Sequence, residues 1–390
     1  MQKVRIKERN FSVIPEPHPH ILVPTQKELH GWWPGKRECT GERLLINPYN
    51  GCSVGCFFCY TRAFPGYFEL FHKKDIVVVA ERFPETIAGQ LDSVSVTACG
   101  YLSPVSDPFQ KLNEKYRYSE QIIEIFIERN IPIEFITKCR IPSGVLEVMQ
   151  RQRHSFGQIS ILTLDENLRK VLAPCVAETS TLLENIRRMR ENGIFAVARI
   201  DPILPFINDR REDLRKLVKT CVECGASHII TSVLDIPVKI RDFVLEQISK
   251  SFGKELKFRY LRLYRERIGG YLHADIDYRK ELFSFLKSTA QQSKVTFALC
   301  MEYEVKDGML VGLNRYFMTS VNCEGMNVPI YIRRNKKFTP ASSCSGNCLN
   351  CEEAFCGIPD LAMGRAGSKK DWKLKDYRRW SKYLRHRRLL

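Results

Sequence analysis

The 390 residues are 44% apolar and 27% charged, the balance of an ordinary globular chain with length enough for a substantial core. No apolar run reaches bilayer length, and the basic N-terminus MQKVRIKERNFSVIPEPHPH lacks the apolar stretch of a secretory signal. A membrane partner is therefore excluded and a cytoplasmic setting expected. Fifteen cysteines in such a chain read as metal or cluster ligands rather than as a disulfide framework. The formal charge is +17, and residues 365–390 hold 11 Lys or Arg against two Asp, which accounts for +9 of it.

In chain order, residues 1–42 form an extension that Pro15, Pro17, Pro19, Pro24 and Pro34 make irregular. From 43 to 299, short β-branched runs alternate with amphipathic segments. The runs are Leu44–Ile46, Ile76–Val79, Val94–Ala98, Ile133–Thr137, Ile159–Thr163, Ile194–Ile200, Ile229–Val233 and Val295–Cys300. The intervening helices include Ser119–Arg129, Ser180–Asn192 and Arg211–Cys224. This alternation predicts βα units around a parallel sheet, and right-handed crossovers favour a full or partial barrel over an open sheet. A cysteine-bearing region at 300–364 and the basic, aromatic tail at 365–390 complete the chain.

Within the stretch NPYNGCSVGCFFCY, Cys52, Cys56 and Cys59 are spaced C-x3-C-x2-C, and Gly51 and Gly55 free the loop to wrap a cubane. Three thiolates can hold three irons of a [4Fe-4S] cluster and leave the fourth open to chelate S-adenosylmethionine. Phe57 and Phe58 would shield that cluster from water. A zinc site needs a fourth ligand close by, and no further cysteine occurs before Cys99.

At these residues the chain resembles the radical S-adenosylmethionine (SAM) superfamily, and within it the spore photoproduct lyase-like branch. The stretches SPVSDPFQ (103–110), ITKCRI (136–141) and the segment from Ser160 to Asp209 look similar as well. The resemblance spans about residues 44–235. It implies a partial (β/α)6 barrel of the TIM type with SAM across the strand ends. It further implies SAM contacts from Tyr60, Ser106, Asp107, Ser160, Thr163, Arg199 and Asp201. The lyase also uses a cysteine as hydrogen-atom donor, for which Cys99 is the nearest match, although TACGYLSP departs from the lyase pattern. A buried cysteine acting as a small hydrophobe is the competing reading of Cys99.

Cys344, Cys348, Cys351 and Cys356 repeat the C-x3-C-x2-C spacing and add a fourth thiol. Four thiolates suit a closed second [4Fe-4S] cluster, with zinc as the alternative, and Cys300 or Cys323 could replace one of them. In the tail, Trp372, Tyr377, Trp380 and Tyr383 interleave with cations, a pattern for phosphates and stacked bases or for docking on the domain. The leading expectation is radical repair or modification of a DNA or RNA base, with a ferredoxin or flavodoxin as electron donor. Radical modification of a peptide or small metabolite is the second reading, and a non-catalytic iron–sulfur or zinc nucleic-acid-binding protein the third.

Overall fold

The computed structural model describes residues 2–6, 8–24, 28–29, 44–348, 351–354, 356–359 and 374–379. Cys39, the Trp32–Trp33 pair, and Trp372, Trp380 and Tyr383 of the tail lie outside these residues. Seven strands form the central sheet in the order Thr296–Leu299, His228–Val233, Phe195–Ile203, Phe156–Ser160, Ile133–Thr137, Gly100–Leu102, Leu44–Ile46. Every neighbouring pair is parallel. Of these seven strands, the first and last in chain order are the two edges of the sheet, so the structure is a partial barrel, with one strand more than the six expected. Helices such as Tyr118–Glu128, Thr179–Glu191, Arg211–Cys224 and Ile276–Gln292 fill the crossovers.

The register sorts the side chains by the two-residue period of a strand. Phe156 pairs with Phe195, Gln158 with Val197, Ser160 with Arg199, and Arg199 with Ile230. These residues share the inner face with His228, Ser232, Thr296 and Ala298. The alternate positions, including Phe135, Ile159, Ala198, Ile229 and Phe297, are buried under the helices in the main apolar core. The lower inner face is apolar: Phe156, Val197 and Ile230 pack with Cys99 and Val328.

A loop from the C-terminal region closes this floor. His228 is fully buried and bridges Thr296 Oγ1 at 2.8 Å and the Cys323 carbonyl at 3.1 Å. A carbonyl only accepts, so Nε2 carries the proton and Nδ1 accepts from the threonine hydroxyl. Burial pushes His228 down to about 4, and buried His273 also falls to about 4. The unfolded chain takes up these protons near pH 6.5 while the folded chain does not, so stability is lost as pH falls from about 6.5 toward about 4. The apoprotein is expected to lose about 2 kcal/mol through His228 between pH 7 and 5. Urea titrations at the two pH values, with His228→Asn as the flattened control, measure it; equal slopes for both proteins would count against this assignment.

Three expectations change. The extension is not irregular throughout: Lys3–Ile6 and Arg9–Ser12 form an antiparallel hairpin, and His20–Pro24 pairs in parallel with Val77–Glu81. Val77–Glu81 thus belongs to a separate three-stranded sheet with Tyr49–Asn50, not to the barrel. The run Val94–Ala98 is a strand only at Val96–Thr97, and it pairs antiparallel with Tyr331–Arg334 of the C-terminal region. The barrel strand begins at Gly100, so Cys99 stands at its N-terminal start, on the floor.

Candidate active site

The cysteine loop follows Leu44–Ile46 and sits where that strand and Gly100–Leu102 end. Gly51 and Gly55 adopt φ of +108° and +80°, and their Cα atoms face Phe71 and Pro174, where a Cβ would come within 3.1 and 3.2 Å of those side chains. Both therefore need glycine on conformational grounds. Phe57 and Phe58 are buried and meet edge to face at 5.2 Å. Arg62 anchors the loop from below. Its Nε reaches the Cys56 carbonyl at 3.5 Å, and its guanidinium lies 4.7 Å from the Phe71 ring and 5.4 Å from that of Phe243.

The second strand end completes the site. The Asp107 N–H donates to Cys52 Sγ at 3.3 Å. The Asp107 carboxylate accepts from Phe109 N–H (2.9 Å), Thr137 Oγ1 (2.8 Å) and Lys138 N–H (2.6 Å). Burial raises the Asp107 carboxyl and these donors oppose the shift. Gln110 holds both sides of the loop, accepting from Ser53 N–H at 2.9 Å and donating to the Gly51 carbonyl at 3.2 Å. Among the described residues, the hydroxyls of Ser103 and Ser106 are buried without a hydrogen-bond partner beside this arrangement. Unpartnered buried hydroxyls are costly and mark a place where a polar ligand completes the structure.

Ser160 and Thr163 line a narrow cleft together with Lys138, Arg169 and Ala173. Cys175 N–H donates to the Val54 carbonyl at 3.2 Å, which places this cleft against the cysteine loop. Thr163 Oγ1 also accepts from Asp165 N–H at 3.0 Å, a helix-entry role. Deeper in the barrel, Arg199 is ion-paired with Asp201 at 2.7 Å. It also donates to Gln158 Oε1 at 2.9 Å and to Cys300 Sγ at 2.6 Å, and Asp201 accepts from Ser232. Tyr60, directly after the last loop cysteine, donates its hydroxyl to the Pro104 carbonyl at 2.8 Å. Burial raises the Tyr60 phenol, with Cys59, Cys300 and Tyr271 as further raising neighbours and Arg199 opposing.

The structure thus brings Tyr60, Ser106, Asp107, Ser160, Arg199 and Asp201 around one barrel mouth, with Thr163 at its edge. It places Cys99 in the apolar floor cluster, against which Cys300 packs. The sequence reading gave no role to Lys138, Gln110 or Gln158, and it offered Cys300 as a ligand of the C-terminal cysteine group, whereas the structure sets Cys300 against Arg199. Its position inside the barrel follows from strand phase, because Thr296, Ala298 and Cys300 alternate onto the inner face.

The C-terminal cysteines lie along a loop packed on the main core. Ile330 N–H donates to Cys344 Sγ at 3.4 Å and Ile358 N–H to Cys356 Sγ at 3.4 Å. The Cys356 thiol is hydrogen-bonded to Cys344 and lowers it. Cys351 Sγ donates to the Glu353 carbonyl at 3.1 Å. Among the described residues, no three His, Cys, Asp or Glu converge closely enough to hold one metal ion.

A loop of three thiols at the strand ends of a parallel partial barrel defines a radical SAM domain, and residues 46–219 match the radical SAM superfamily. The chain carries a radical SAM domain. A radical SAM Nα-GlyT isomerase of Pseudomonas phage M6 is 26% identical over 381 residues, which is 93% of this chain and 78% of that protein. An uncharacterized protein of Methanocaldococcus jannaschii is 24% identical over 169 residues, 43% of this chain and 63% of that one. Among solved structures, a mutant spore photoproduct lyase with bound AdoMet and dinucleoside spore photoproduct matches with TM-score 0.55 at 13% identity, over 72% of this chain and 81% of that chain. The fold is that of spore photoproduct lyase.

The family implies a [4Fe-4S] cluster and SAM, and the residues present fit both. Cys52, Cys56 and Cys59 are the thiol donors, an N–H already points at Cys52 Sγ, and the Ser103 and Ser106 hydroxyls, unpartnered among the described residues, are available to a polar ligand. Burial raises Cys52 and pushes Cys56 up to about 12, so loading the cluster releases protons. When bound, the pair supplies a reductively generated 5′-deoxyadenosyl radical. The chain's own residues fix the loop, hold polar groups at the strand ends and keep a phenol, a thiol and a guanidinium facing the same space.

Proposed function

We propose that this radical SAM enzyme rearranges or repairs a nucleic-acid base. The observation that carries this reading is the similarity to the phage Nα-GlyT isomerase along nearly the whole chain, beyond the cysteine-loop domain alone. The dinucleoside bound by a lyase of the same fold supports it. A base inside a duplex cannot reach a barrel mouth, so the substrate enters single-stranded or flipped. An external ferredoxin or flavodoxin supplies the electron. All fourteen described cysteines are free thiols, which supports a reducing, cytoplasmic setting. For the C-terminal thiols we favour a second [4Fe-4S] cluster over zinc; the N–H groups directed at Cys344 and Cys356 support a thiolate-ligated centre of either kind.

The test is turnover by the reconstituted enzyme with dithionite and SAM, on single-stranded DNA, RNA or a peptide pool. Nucleic acid is expected to raise 5′-deoxyadenosine release above the uncoupled rate. Digestion should then yield a nucleoside with altered retention or mass. Stimulation by peptides and not by nucleic acid would overturn the reading.

A further inference from the structure

Between the His228–Val233 strand and the Ile276–Gln292 helix, the chain inserts a small unit on the mouth side of the barrel. Ile236–Pro237 pairs with Tyr271–His273, which pairs with Glu266–Ile268, and two helices, Arg241–Phe252 and Lys254–Leu263, complete it. The second helix is seated by Leu256 and Tyr260, both buried, with Tyr260 6.3 Å from the ring of Phe206 beyond the Phe195–Ile203 strand. Tyr264 donates its hydroxyl to the Leu234 carbonyl at 2.8 Å. The unit is therefore rooted at the exits of the two strands that carry Arg199, Asp201 and Ser232.

The outward side of this helix is unusual. Lys254, Phe258 and Leu261 stand at i, i+4 and i+7, so they form one stripe, and Phe258 and Leu261 remain 55% and 46% exposed. Residues 254–267 contain six Lys or Arg and two Glu. Glu266 is occupied by Arg279 at 2.7 Å, and Glu255 faces Arg262 at 3.7 Å. The strand alternates, so Arg265 and Arg267 point away from Glu266 and are exposed. Among the described residues, no acid pairs with Lys254, Arg265 or Arg267.

We propose that this face is a docking surface for a single nucleic-acid strand, with the cations on phosphates and Phe258 and Leu261 against exposed bases. The proposal rests on the nucleic-acid reading above and deepens it by saying where the strand runs. An uncompensated cationic patch interleaved with an exposed ring is complementary to a backbone of phosphates with stackable bases, and it borders the mouth. An apolar partner helix would leave Arg265 and Arg267 without anions.

The test is fluorescence anisotropy of the reconstituted holoenzyme with a labelled mixed-sequence deoxyoligonucleotide, from about 50 to 200 mM salt. The Arg265→Gln/Arg267→Gln variant is expected to bind about tenfold more weakly, with its salt slope reduced by about 1.4 for the two lost phosphate contacts. Phe258→Ala is expected to lose about tenfold with an unchanged slope. Uncoupled 5′-deoxyadenosine release should equal wild type in both variants, which controls for folding. Variants that bind as wild type does would overturn the surface while leaving the nucleic-acid reading intact. A wild type that binds no oligonucleotide would overturn both. Equal competition by poly-glutamate would reduce the face to a general anion patch and also overturn the proposal.

Discussion

Alanine at Cys52, Cys56 and Cys59 together is expected to abolish 5′-deoxyadenosine release from the reconstituted protein reduced with dithionite. The loop offers no substitute ligand, since its remaining polar groups are committed: Ser53 N–H and the Gly51 carbonyl bind Gln110, and Arg62 holds the Cys56 carbonyl. A thiol ligates iron through its deprotonated sulfur, and the alanine side chain has no donor atom. The same variant separates the two cysteine groups by iron count. Iron that remains is expected to reside at Cys344, Cys348, Cys351 and Cys356, and zinc there instead would identify the alternative metal. Undiminished deoxyadenosine from the triple variant would sink the assignment of this loop.

The second large effect concerns Arg279, whose side chain is 1% exposed. It bonds Glu302 at 3.0 Å, Glu266 at 2.7 Å, the Ala274 carbonyl at 2.8 Å and the Tyr303 carbonyl at 2.7 Å. Glu302 in turn accepts from Val233 N–H at 2.7 Å. One guanidinium thus ties the exit of His228–Val233, the inserted unit and the turn after Thr296–Leu299. Arg279→Met strands Glu302 as a buried charge and is expected to cost about 3–5 kcal/mol in urea unfolding of the apoprotein. Adding Glu302→Gln should recover part of that loss, because the uncompensated charge is then gone. A single-variant cost below about 1 kcal/mol would mean that water reaches Glu302 in the folded protein.

Much of this was legible in the residues. The three-thiol spacing is a local signal, and so are the β-branched runs at Ile133–Thr137 and Ile229–Val233, which became core strands within a residue or so. Arg211–Cys224 was read to its ends because its apolar positions recur with helical period. What was missed depends on partners distant in sequence. The extension looked irregular because its prolines speak against helix, whereas parallel pairing of His20–Pro24 with Val77–Glu81 is a property of two segments at once. Val94–Ala98 carries strand-forming residues, yet the barrel uses the next segment, where Gly100 lets Phe126 approach closely. Asp107 was singled out as a strand-end acid, but its partners Thr137 and Lys138 come from another strand and had no local mark. The inserted unit was invisible because its helices and short strands resemble a weakened continuation of the barrel.

The pairing of Val96–Thr97 with Tyr331–Arg334 bears on the order of assembly during synthesis. Thr97 faces Tyr331, and Ser95 N–H donates to the Tyr377 carbonyl at 3.2 Å, so an early segment waits for partners made much later. Until the ribosome has released those residues, the strand presents an unpaired edge beside the apolar floor, the kind of edge that recruits foreign strands. Contacts of such long sequence separation close slowly. Nascent chains that stall before residue 331 should therefore be the aggregation-prone species, and chaperone demand should fall once Tyr331–Arg334 docks.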